Sequence, residues 1–210
     1  MFPSRRSFSA GLGLAAATAL TLAAFAAERA NAADTGAPAP GFTGQTAAGG
    51  TVSLSDFAGE TVILEWTNHD CPYVRKHYDG DNMQALQARA AEEGVTWIQI
   101  ISSAPGKQGH VSAERALELN EERGAAPAHV ILDESGEIGR AYEARTTPHM
   151  YLIDEAGVLR YAGAIDDRNS ADPASLEGAT NYVALAMDAM GEGAEIDPDR
   201  TAPYGCSVKY

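Results

Sequence analysis

Apolar and β-branched residues gather along this chain in short blocks separated by polar, helix-forming stretches. Thr61–Trp66, Val95–Ile101, His129–Leu132, Met150–Ile153 and Val158–Ala162 are the clearest blocks. Their length and content predict buried strands. Asp154-Glu155-Ala156-Gly157 between the last two is a hairpin signal. The stretches between follow a helical period. In Asn82–Glu93, Met83, Leu86, Gln87 and Ala90 share one face and Gly94 closes the helix. Ala113–Arg123 has Ser112 to cap it and Gly124 to end it. Ile138–Tyr142 predicts a short helix and Ala174–Met190 a last one, while Tyr73–Tyr78 has room for a turn or two before Asp79-Gly80-Asp81 breaks it. Thr51–Leu54 alternates as a short strand, and Asp56–Gly59 turns toward the first main one. The resulting order, β-α-β-α-β-β-α, predicts an α/β fold: a central mixed β-sheet with helices on both faces and an N-terminal extension. No internal repeat or heptad pattern is present.

The ends read differently. Residues 1–32 carry a basic start, Ser4-Arg5-Arg6-Ser7-Phe8, then a weakly apolar run from Ala10 to Ala27, then Ala30-Asn31-Ala32 before Ala33. This is the layout of a cleaved export signal. Ser-Arg-Arg-x-Phe matches the twin-arginine type, a receptor-read address; an ordinary secretory signal holding two arginines is the other reading. Both lead to the periplasm. Residues 33–50, with Pro38 and Pro40, read as an irregular lead-in arm to a single domain over 33–190, and 191–210 as an irregular tail. A net charge of −14 argues against nucleic acid and anionic lipid as partners. After signal cleavage nothing apolar enough to hold a membrane remains.

The chain has two cysteines, Cys71 and Cys206. Cys71 follows a strand and precedes Pro72 and a helix start, so its sulfur falls near unpaired N–H groups at the positive end of a helix dipole. That setting favours the thiolate, the reactive form. In an oxidising compartment the two thiols also tend to pair. A structural disulfide closing so long a loop would be worth about 5 kcal/mol on the chain-entropy model.

The element order, the cysteine after the first main strand and Thr147-Pro148 before the hairpin together resemble the thioredoxin fold. Pro38-Ala39-Pro40-Gly41-Phe42-Thr43 and Val52–Gly59 resemble the start of peroxiredoxins and periplasmic thiol–disulfide proteins. Cys71-Pro72-Tyr73-Val74, Tyr161–Asp167 and the ending Tyr204-Gly205-Cys206-Ser207-Val208-Lys209-Tyr210 are similar to an exported, peroxiredoxin-like branch of redoxin-domain proteins, related to the alkyl hydroperoxide reductase and thiol-specific antioxidant proteins. The resemblance implies an oxidoreductase with Cys71 as the thiol that attacks a peroxide or a disulfide. It implies a cis Pro148 facing that thiol, the backbone at Thr147 and Pro148 receiving substrate, and Glu65 as a buried acid moving the proton. Cys206 is then the candidate resolving thiol, within the chain or across a homodimer, with an external thiol reductant of unknown identity.

The chain departs from both parent patterns. Val74 stands where thioredoxins carry a second cysteine. Leu64 and Asn68 replace the Pro and Thr of the peroxidatic motif, with Thr67 one residue out of register. The arginine that would support the thiolate is unassigned among Arg75, Arg145 and Arg160. A non-catalytic binding domain stapled by Cys71 and Cys206 is the alternative. A copper site using His69, His77 or His149 with Cys71 and Met150 lacks the usual second nearby cysteine, and no metal or cofactor is expected. Asp166-Asp167-Arg168 reads as a turn with a local salt bridge. Ser102–His110 contains no phosphate-loop motif, and nothing supports a serine hydrolase.

Overall fold

The computed structural model describes Met1 and residues 33–210, so the expected export signal lies outside the described residues. In chain order the elements are β1 (Thr43–Thr46), β2 (Thr51–Ser53), β3 (Val62–Trp66), α1 (Pro72–Asp79), α2 (Asn82–Glu92), β4 (Thr96–Ile101), α3 (Ala113–Glu122) and β5 (His129–Leu132). Then follow α4 (Glu137–Ala141), β6 (Thr146–Thr147), β7 (His149–Ile153), β8 (Leu159–Gly163), α5 (Tyr182–Gly191) and β9 (Cys206–Ser207). Seven strands form one mixed sheet in the order β2-β1-β5-β4-β3-β7-β8, and β6 pairs with β9 in a second, two-stranded sheet. β3, β4 and β5 run parallel, with helical crossovers between them; β7 and β8 close the set as an antiparallel hairpin.

The sheet's two faces are packed differently. Ile63, Trp97, Met150 and Leu152 meet Val74 and Tyr78 of α1, Met83 and Leu86 of α2, and Val183 and Ala186 of α5. The alternate residues Leu64, Trp66, Ile98, Ile100 and Tyr151 meet Ile138 and Tyr142 around α4, and Phe42 of the lead-in arm. Burial on both faces explains why the central strands read as apolar runs, interrupted only by the buried Glu65 and Gln99 and by Thr96 at the start of β4.

Three expectations change. The arm before residue 50 contains β1, which joins β5 through Gln45↔Leu132 and Thr46↔Ile131. The last helix does not begin at Ala174: a 3-10 turn covers Pro173–Leu176, Gly178 takes φ +66°, and Asn181 accepts from the Ala184 N–H to start α5 anew. The tail is not irregular throughout, because β9 lies within it.

Candidate active site

Cys71 is the N-cap of α1, with Pro72 in the first turn, where its missing N–H costs nothing. The Val74 and Arg75 N–H groups bond the Cys71 carbonyl. The side chain is fully buried at 0% exposure. Trp66, at the end of β3, pairs with His149, so the residues just before His149 are brought across to Cys71. The Thr147–Pro148 bond is cis, as expected. The Cys71 thiol donates to the Thr147 carbonyl at 3.1 Å.

Cys206 arrives from the far end of the chain. Thr147 pairs with Cys206 and Thr146 with Ser207, and the Val208 N–H donates to the Arg145 carbonyl at 3.0 Å. This sets the Cys206 thiol against the Cys71 sulfur, with no disulfide between them in this structure. Burial pushes the Cys71 thiol up, but the Cys206 thiol, the Thr147 side chain and the Val74 and Cys206 N–H groups together hold it below its ordinary value. Cys206 is pushed up to about 11 by burial and by its bond and proximity to Cys71. No arginine is among the groups shifting Cys71. Arg145 pairs with Glu143 and Arg160 with Asp154. Local dipoles, rather than a guanidinium, favour the thiolate.

Glu65 is wholly buried on the Cys71 face of the sheet. Its carboxylate accepts from Tyr78 Oη at 2.9 Å, Trp97 Nε1 at 2.9 Å, and the Gln87 and Gln99 amides at 3.3 Å each. Cys71 is not among its partners. The carboxylate is tied instead to α1 through Tyr78, near the far end of the helix from Cys71.

The histidines do not converge on the sulfur. His149 turns to the opposite face of the sheet, its ring 4.5 Å from Tyr151, with Nδ1 3.0 Å from Tyr151 Oη. His77 bonds Tyr204 and Asn82, and His69 faces Asp70 at 3.3 Å. Among the described residues no group of three or more His, Cys, Asp or Glu is arranged to hold a metal ion.

One polar cluster escaped the sequence reading. Lys76, at 0% exposure, pairs with Asp166 at 3.1 Å and donates to Tyr204 Oη at 3.1 Å and the Arg168 carbonyl at 2.8 Å. Tyr204 Oη in turn donates to Asp166. Asp166 is thus part of a buried ion pair, and only Asp167 makes the expected contact with Arg168, at 3.3 Å. The sequence separations, 90 residues for Lys76–Asp166 and 128 for Lys76–Tyr204, hid the cluster.

A strand, a helix-capping cysteine and a cis-proline loop joined in this way define a thioredoxin-fold redoxin. The chain belongs to the AhpC/TSA family, whose profile matches residues 35–162, and so to the thioredoxin-like oxidoreductases. It is similar to the crystal structure of an uncharacterised conserved protein from Geobacillus kaustophilus: 28% identity, TM-score 0.72, covering 86% of this chain and 94% of that one. A hypothetical protein from Sinorhizobium meliloti shares the fold at 22% identity and TM-score 0.68, over 86% and 96% of the two chains. A Chlorobium tepidum protein described as thiol:disulfide interchange protein DsbE aligns at 25% identity and TM-score 0.51, over 61% of this chain and 84% of that one. Among curated proteins none matches. No helix among the described residues is long and apolar enough to cross a membrane.

Proposed function

We propose that this protein is an exported thiol oxidoreductase in which Cys71 attacks a peroxide or a disulfide and Cys206 resolves the product. The observation that carries the reading is the Cys71 sulfur, at the start of α1, with the Thr147 carbonyl and the Cys206 thiol both against it. Attack on a peroxide would leave a sulfenic acid at Cys71, and attack on a disulfide a mixed disulfide. In either case Cys206 stands next in line to form the internal disulfide, which an external thiol reductant then opens. Both cysteines belong to one chain, so resolution needs no homodimer. Glu65 acts at one remove, through Tyr78 on the helix that Cys71 caps.

The test uses hydrogen peroxide and a small model disulfide with mass spectrometry of the products. Cys71→Ser abolishes reaction, while Cys206→Ser completes the first step and accumulates the sulfenic acid or mixed disulfide at Cys71. A purely structural staple gives the opposite result: neither native sulfur reacts, and reduction removes a large part of the ~5 kcal/mol expected of such a loop. The tail's hold on the domain favours the catalytic reading, because Tyr204, Val208 and Tyr210 each bond the domain without a covalent link.

Export is part of the same proposal, with a mature N-terminus at Ala33 in the periplasm. Intact mass of the periplasmic protein checks the cleavage site. Replacing Arg5 and Arg6 by lysine blocks export on the twin-arginine route and leaves it unchanged on the general secretory route.

A further inference from the structure

Resting on that thiol reading, we infer that the C-terminal tail is seated as a strand on the edge of the Thr146–Thr147 loop, closing Cys71 to polypeptide partners and leaving Cys206 as the sulfur they meet.

An extended polypeptide joins a sheet by offering its main-chain N–H and C=O groups to an unpaired strand edge. Beside Cys71 that edge belongs to β6, and it is already taken: Thr146 and Thr147 pair with Ser207 and Cys206. Gly205 makes the approach closer still. Its φ is +120°, and a Cβ placed there would collide with the Thr147 carbonyl. Only glycine lets the tail lie flush on the loop.

The seat is built to hold. Tyr204, the residue before Gly205, puts its hydroxyl between Lys76, Asp166 and His77, and its ring lies 5.9 Å from that of Tyr73. A buried ion pair carries a large desolvation cost, and a partner removed from it leaves an uncompensated charge. Lifting Tyr204 would strip a hydrogen bond from that pair. Lys76 and Tyr204 are therefore positioning residues, which hold Cys206 over Cys71 without touching the reacting sulfur.

Cys206 is part of the cover over Cys71 and reaches solvent. Cys71 is fully buried, whereas Cys206, which lies against it, is partly exposed. Movement of side chains admits a small molecule, but a polypeptide has to displace the paired tail. In the oxidised pair, a polypeptide dithiol then attacks at Cys206. The partner's thiolate forms a bond to the Cys206 sulfur, the Cys71–Cys206 bond breaks, and its electron pair leaves on Cys71 as thiolate. The partner's second thiol gives up its proton and attacks the partner's own sulfur in the mixed disulfide. Cys206 departs and takes a proton, leaving the partner oxidised and this chain reduced. Cys71 departs at the start of α1, beside the N–H groups of the first helical turn, where a thiolate is favoured, consistent with this direction.

The experiment has two arms on the full mature chain. In the first, Cys206→Ser protein meets iodoacetamide and, separately, a ten-residue peptide whose single cysteine is a thionitrobenzoate mixed disulfide. The readout is the ratio of the two rates at Cys71, which cancels changes in thiolate fraction. Adding Gly205→Val to unseat the tail raises the peptide-to-iodoacetamide ratio at least tenfold; Tyr204→Phe, a milder lesion, raises it less. In the second arm, oxidised wild type meets the same peptide as a free thiol, and the adduct maps to Cys206. An unchanged ratio in both folded variants, or an adduct on Cys71, overturns the inference while Cys71 alkylation upholds the thiol reading. Cys71 inert to both probes in every variant overturns the two together.

Discussion

Burial pushes the Cys71 thiol up, but hydrogen bonds to its sulfur, that of the Cys206 thiol first among them, hold it below its ordinary value. The rate of iodoacetamide alkylation against pH measures this directly. Its midpoint lies below that of an ordinary cysteine, and Cys206→Ala moves it up, because a donor to the thiolate is lost. Glu65 offers a second check at this scale. Replacing it with alanine strands the buried donors of Tyr78 and Trp97, at about 1–3 kcal/mol for each group left unpaired, while the Gln87 and Gln99 amides keep the Tyr78 hydroxyl. Glu65→Gln keeps the shape. If Glu65 moves the proton, this variant slows reaction at Cys71 with urea stability largely kept; an unchanged rate at every pH assigns Glu65 to structure alone. Cys71, Pro72 and Thr147-Pro148 were legible in the sequence because each announces itself within a few residues. Cys206 was legible as the candidate partner of Cys71, but the strand pairing that seats it there was not, since nothing local reports that Thr147 pairs with Cys206.

At the scale of elements, α1 does two jobs. Its first turn presents Cys71, and its second carries Lys76 and His77 to the cluster that holds the tail. Lys76→Met leaves Asp166 buried without its cation, which costs about 3–5 kcal/mol and is measured by urea denaturation. Loss of under 1 kcal/mol would mean that Tyr204 and the Arg168 N–H satisfy Asp166 without the lysine. The strong strands and the helices α2 and α3 were readable from period and caps. β1 was hidden among glycines and prolines, and β6 and β9 span two residues each, too short for any period to show. The final helix was read too long because its alanines keep helical propensity through a segment that Gly178 and Asn181 interrupt.

For the whole molecule, two buried histidines set the response to acid. Burial is the main reason that His77 and His149 are lowered to about 3. Below pH 6.5 the unfolded chain binds protons that the folded chain refuses. Their contribution to stability is therefore intact above 6.5 and is lost as the pH falls toward 3, by about 1.4 kcal/mol per pH unit for each histidine. Urea midpoints between pH 7 and 4 show this slope, and His77→Asn removes its share. The same fold places the two ends of the site's chemistry, Cys71 and Cys206, on elements joined through one loop. Topology, rather than sequence proximity, makes the pair.

The central claim is that Cys71 and Cys206 act in sequence as one redox pair. Its most direct test is peroxide treatment of the reduced mature protein, followed by intact mass and peptide mapping. The account predicts loss of two hydrogens in wild type with a Cys71–Cys206 disulfide, a sulfenic acid at Cys71 in Cys206→Ser, and no thiol oxidation in Cys71→Ser. Oxidation that begins at Cys206 and proceeds equally well in Cys71→Ser would contradict it.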